Sequence, residues 1–162
     1  MKRVLPFILL ITTLFTSCNT EPVNLSDNDY IIFGQYYGEC IGENCVVIYK
    51  LDKNNLYKDK NHTYPNSTNF YIADFTVLNE DNFEKTKDLI DFFPTELLNE
   101  NNVVIGEPDA GDWGGIYVEY YVGSIHKFWL IDKMRTNVPE KYHLFLDKIE
   151  EKISQLNTEN EL

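Results

Sequence analysis

The chain has 162 residues, with 26 acidic against 14 basic side chains and a formal net charge of −12. That length suits one domain with a real core. Such a charge repels nucleic acid and anionic lipid headgroups. It favours cations or basic patches on partners, and it also serves plain solubility.

The amino terminus has three parts in order. Lys2 and Arg3 are followed by an almost wholly apolar run over 4–15, then by small Thr16 and Ser17 before Cys18. This order predicts a secretory signal peptide over 1–17. The alternatives are a short membrane anchor or a buried first helix. The run is shorter than the roughly 20 residues of a spanning helix, Pro6 interrupts it, and polar Asn19, Thr20, Glu21 and Pro22 follow at once. Leu14, Phe15, Thr16, Ser17 and Cys18 resemble the lipobox of bacterial lipoproteins, with Phe15 where leucine is more usual. The resemblance implies diacylglycerol on the Cys18 sulfur, cleavage before it and an acylated amino terminus. The membrane is then a partner through that lipid, and the expected address is the bacterial cell envelope, at the outer membrane. Each buried CH₂ of an acyl chain contributes about 0.8 kcal/mol, so two or more chains hold firmly. Loss of Lys2 and Arg3 leaves 12 basic against 26 acidic groups, a mature charge of −14.

Residues 18–28 are polar and without periodicity, and they read as a lipidated end and flexible tether. A single domain is expected over 29–157. Residues 30–37 and 45–51 are rich in β-branched and aromatic side chains and predict two strands of a hairpin around a Gly- and acid-rich loop. Residues 56–58 suggest a short edge strand, and 60–68, with Pro65, a loop. Residues 69–78 alternate, which predicts a strand with Tyr71, Ala73, Phe75 and Val77 on its buried face. The period then changes. Phe83, Thr86, Leu89, Ile90 and Phe93 share one helical face over 81–93, Asp81 with Glu84 fits a capping box, and Pro94 stops the helix. A short strand follows at 103–105 and a loop at 106–115. Residues 116–122 and 125–131 form a hairpin across Gly123 and Ser124, a pair suited to a type II′ turn. Asn137 with Glu140 can cap a last helix whose stripe is Tyr142, Phe145, Leu146, Ile149, Ile153 and Leu156. Residues 158–162 are a frayed tail. The expected fold class is α+β: an antiparallel sheet of five or six strands with one or two helices packed on it.

Two stretches carry candidate chemistry. Cys40 and Cys45, five apart at a hairpin tip, predict a small disulfide loop in an oxidising compartment. A redox pair or half a metal site is the alternative. Cys-x-x-Cys at a helix start is missing, and His62, His126 and His143 show no ligand spacing. The 106–115 loop holds Glu107, Asp109, Asp112 and Trp113 among glycines. It reads as an Asp- and Gly-rich turn, a binding loop with Trp113 as an anchor, or a paired-carboxylate hydrolytic site. A calcium loop is one further reading, against which the spacing is not that of an EF-hand. No other metal or cofactor is expected. No Gly-x-Ser-x-Gly and no phosphate-cradling glycine loop occurs.

The residues Glu96, Leu97, Leu98, Val104, Ile105, Gly106, Pro108, Asp109, Asp112, Gly114, Gly115, Tyr117, Val118 and Glu119, with Trp129 to Asp132, Pro139 and the Tyr37 to Cys45 hairpin, resemble small lipoproteins of the Bacteroidetes type. The resemblance spans about 29–156 and implies one domain, but no activity. A cysteine on each side of Pro-Asp is expected there. Glu107 and Ala110 stand in those places, so any second disulfide or metal site of that kind is lost.

The expectation that follows is a lipid-anchored envelope protein acting as a non-catalytic binding or interaction module, towards a protein or small molecule and not nucleic acid. The 40–45 tip and the 107–115 loop would form its face. A cation-dependent envelope hydrolase using Asp109 and Asp112, and a structural envelope component, are the competing readings.

Overall fold

The computed structural model describes residues 25–157. Cys18, the signal segment, most of the expected tether and the tail lie outside the described residues. Strands β1 (Tyr30–Tyr36), β2 (Val46–Asp52), β3 (Leu56–Asp59), β4 (Phe75–Val77), β5 (Val104–Ile105), β6 (Gly115–Val122) and β7 (Ile125–Asp132) form one sheet in the order β4-β3-β2-β1-β6-β7-β5. The class is α+β. The sheet, however, has seven strands and is mixed, not five or six antiparallel ones. β5 pairs parallel with β7, through Val104 opposite Leu130 and Ile105 opposite Ile131. A two-residue strand carries no readable period, which is why its direction is not visible in sequence.

The hairpin β6–β7 turns at Gly123, where φ is 60°. Ser124 is not among the residues at positive φ, so the turn is of the II′ kind. The odd-numbered residues of β1 and the even-numbered residues of β6 face the helices. There Phe33, Val118, Tyr120, Trp129 and Ile131 meet Leu89, Phe93, Phe145 and Ile149 in the main core. All six residues of the predicted stripe are buried, Tyr142 in the turn that precedes the last helix and the other five on the helix itself, where each Leu, Ile or Phe contributes about 1.5–3 kcal/mol. Leu25 packs partly buried against the same core. The opposite face carries a smaller cluster of Ile32, Tyr36, Ile48, Tyr117, Phe128 and Leu130, covered in part by Tyr71, Phe75 and Val103.

Three local expectations are corrected. First, residues 69–74 do not form a strand. Side-chain hydrogen bonds hold them in place of a ladder: Asp59 accepts from the amides of His62 (3.0 Å) and Asp74 (2.8 Å) and from the Tyr71 hydroxyl (2.8 Å), while the Tyr71 amide donates to the Tyr117 hydroxyl (3.0 Å). Tyr71 and Phe75 are half-buried, but Ile72 is 80 % and Val77 58 % exposed.

Second, the helix expected over 81–93 is a short α1 (Glu80–Thr86) running into a 3₁₀ stretch, Lys87–Phe92. Its cap is Asn79, whose side chain accepts from the Asn82 amide (3.0 Å). The Thr86 hydroxyl donates back to the carbonyls of Asn82 and Phe83, a contact that loosens a helix. Third, α2 (His143–Asn157) grows out of a 3₁₀ turn at Glu140–Tyr142, and Asn137 does not cap it. The Asn137 side chain donates through Nδ2 to Asp132 instead (2.7 Å). Among the described residues no helix is long and apolar enough to cross a membrane.

Candidate functional site

β5 lies outside β7, and β6 lies inside it, so the chain between β5 and β6 must cross the end of β7. That crossing is the 106–115 loop, and the last residue of β7 is Asp132. Asp132 is 0 % exposed. Its carboxylate accepts from the amides of Glu107 (3.0 Å) and Met134 (2.8 Å), the Asn137 side chain (2.7 Å) and the Trp113 indole N–H (3.1 Å). Burial opposes its charge, but these four donors outweigh burial and hold the carboxyl below the ordinary aspartate value. A buried anion with four donors is the post around which the loop is wound.

Asp109 is the second fastening. It sits at φ 62°, and its Oδ1 accepts from the Gly114 amide (3.0 Å). Its Oδ2 accepts from the Gly38 amide (2.6 Å) and the Tyr64 hydroxyl (2.8 Å). One side chain thus joins the β5–β6 loop to the β1–β2 loop and to the segment after β3. Burial and the neighbouring Asp109 push the Tyr64 hydroxyl up to about 12, so it stays a donor at neutral pH. Gly114, at φ 79°, lets the loop pass so close to the Tyr36 carbonyl that a Cβ there would lie 2.5 Å from it.

The β1–β2 loop is closed by the Cys40–Cys45 disulfide, with a sequence separation of 5. Cys45 ends a 3₁₀ turn, Glu43–Cys45, before β2 begins at Val46. The Tyr37 amide donates to the Cys45 carbonyl (2.8 Å), continuing the ladder to the bridge. Ile41, at the tip, is 103 % exposed.

The fates of the four loop residues differ. Glu107 is exposed and lines a groove of about 530 Å³, whose other walls include Tyr36, Tyr64, Pro65, Pro108 and Leu130. Asp109 fastens the groove wall. Asp112 is exposed at φ 61°. Trp113 is 37 % exposed, with its N–H tied to Asp132 and its ring over Gly111. Trp113 is therefore both a plug and a partly open surface. Among the described residues no group of three or more His, Cys, Asp or Glu side chains could hold a metal ion.

Sequence reading missed Asp132, Tyr64 and Tyr36. An acid at the end of the apolar run 128–131 was the available signal for Asp132. A second polar centre was also missed. Glu119, 2 % exposed on β6, accepts from the Tyr117 hydroxyl (2.5 Å) and pairs with His126 Nε2 (2.9 Å). His126 in turn stacks on Phe70, with ring centres 3.7 Å apart. His143 meets the Val138 carbonyl through Nε2 (2.9 Å). The chain matches no family model and no curated protein.

Proposed function

We propose that this protein is a lipid-anchored component of a bacterial envelope and acts there as a non-catalytic binding module. The leader and the lipobox-like residues before Cys18 support the anchor. The groove between Tyr64–Pro65 and Glu107–Pro108 carries the binding reading. Its wall is a mix of aromatic, proline and aliphatic surface with one open carboxylate at its rim, the usual composition of a recognition site. Asp109 holds both banks in place before any ligand arrives, which lowers the ordering cost of binding. Tyr64, Val104 and Pro108 beside Glu107, with Tyr36 and Pro65 buried behind them, suit an elongated, partly apolar ligand, peptide or small molecule, that carries a positive charge.

Site-directed photo-crosslinking in the producing cell tests this. A benzophenone side chain in place of Ser67, which lines the groove and leaves the Tyr64–Asp109 bond intact, is expected to give a discrete adduct that Glu107→Lys abolishes. The same group in place of Leu144, exposed on the outer side of α2, is expected to give none. Equal labelling at both positions, or none at Ser67, would remove the groove as the binding face. Mass spectrometry of the same membranes is expected to find diacylglyceryl Cys18 at the amino terminus, and a retained Met1 would remove the anchor.

A further inference from the structure

The groove lies at one end of the sheet; a different feature lies along its β7 edge, towards the other end. The Leu130 amide donates outward to the Val103 carbonyl (2.8 Å). In an antiparallel pair the direction of the main-chain groups alternates residue by residue. His126 and Phe128 have the parity of Leu130, so their N–H and C=O groups also point outward, away from β6. The tight turn agrees, because Val122 opposite Ile125 is then the closing hydrogen-bonded pair. β5 covers only Leu130 and Ile131. Among the described residues nothing pairs with the outward groups of His126 and Phe128.

His126 is exposed and Phe128 is largely buried, so the unpaired stretch runs from the surface to the margin of the smaller core. A cavity of about 280 Å³ lies against this edge, lined by Phe70, Asn101, Asn102, Val103, His126 and Phe128 among others. Residues 100–103 line this cavity, and their pairing with β7 begins only where the Val103 carbonyl meets the Leu130 amide. Its aromatic wall is preset. His126 is held by buried Glu119 at 2.9 Å and by the Phe70 ring, and Phe70 also lies 5.0 Å from Phe128.

We propose that this open stretch of β7 receives an extended peptide as an added strand, in line with β5, with an apolar side chain in the Phe70–His126–Phe128 recess and basic residues at its flanks. Four main-chain groups spaced two residues apart match an extended backbone and no compact small molecule. Glu100 and Lys127 both line the cavity, and the chain's net charge of −12 favours basic flanks beyond it over acidic ones. This site is separate from the groove at Glu107, and either can fail without the other.

The experiment uses the isotope-labelled full chain and the blocked peptide Ac-Lys-Thr-Val-Phe-Val-Thr-Lys-NH₂. In the free protein the amides of His126 and Phe128 are expected to exchange at least about 100-fold faster than those of Lys127 and Trp129. Millimolar peptide is expected to shift and protect the first pair. A twin peptide N-methylated at alternate residues keeps the side chains but loses the ladder, and is expected to bind at least about tenfold more weakly. A twin with glutamate for lysine is expected to weaken at low salt. Already protected amides at His126 and Phe128, or no shift with the peptide, would overturn the proposal. Equal binding of the methylated twin would make the site an apolar recess only. Protection of the edge that depends on protein concentration, without peptide, would assign it to a second copy of this chain. Equal binding of the acidic twin would overturn the basic flanks.

Discussion

Two loops meet at the groove end of the sheet, and they are closed by different chemistry. The β1–β2 loop is closed covalently, between Cys40 and Cys45, and Asp109 reaches it from outside through the Gly38 amide. The 106–115 loop has no covalent closure. Asp132 fastens it from inside the fold, and Asp109 fastens it to its neighbours. The difference follows from topology. A hairpin loop returns to an adjacent strand, so a short cross-link suffices. The β5–β6 loop must cross over β7, and Asp132 at the end of β7 lies beneath it. A disulfide restricts mainly the unfolded chain, whereas a buried carboxylate sets the folded geometry and leaves four donors stranded if it is removed.

The largest effect is expected at Asp132. Asp132→Ala strands the Trp113 and Asn137 N–H groups and two amides. It should lower stability by about 4 kcal/mol in urea denaturation. The same group gives the fold a pH dependence. Its carboxyl is below the ordinary value in the folded state, so the unfolded chain binds protons more readily as pH falls. The Asp132 contribution is therefore full above an unfolded value of about 3.9 and is lost as pH drops through the folded one. Asp132→Asn should flatten that acid limb, and an unchanged limb would place the titration elsewhere.

Reduction of the disulfide comes next. A loop this short is worth about 2 kcal/mol by chain entropy. The change in denaturation midpoint should come with crosslinking from position 67 retained, because Asp109 still holds Gly38 and Tyr64. The smallest effect is expected at Asp112. Asparagine tolerates its positive φ, and Asp112→Asn should move stability by no more than about 0.5 kcal/mol. A larger loss would mean that the carboxylate has a partner the loop geometry conceals.

The comparison also separates what the residues disclose along the chain from what they do not. The disulfide, the Gly123 turn and the α2 stripe rest on spacings of two to five residues, and these were legible. So was the gathering of Glu107, Asp109, Asp112 and Trp113 in one loop. Their division of labour was not legible, because Asp132 lies 25 residues from Glu107 and Gly38 lies 71 from Asp109. The 69–74 segment misled for a related reason. Its alternation is that of a strand, but Asp59 and the Tyr117 hydroxyl offer its backbone and its tyrosine better partners than a ladder does. The parallel placement of β5 depends on a connection across the helices that no local pattern encodes.

The groove end is built in advance, with Asp132 as its post. Amide hydrogen exchange at Glu107 and Met134 measures this most directly. Both donate to Asp132 and should exchange at least about 100-fold more slowly than an exposed loop amide. That protection should vanish in Asp132→Ala while the β1–β6 ladder keeps its own. Fast exchange at both amides in the unaltered protein would contradict it.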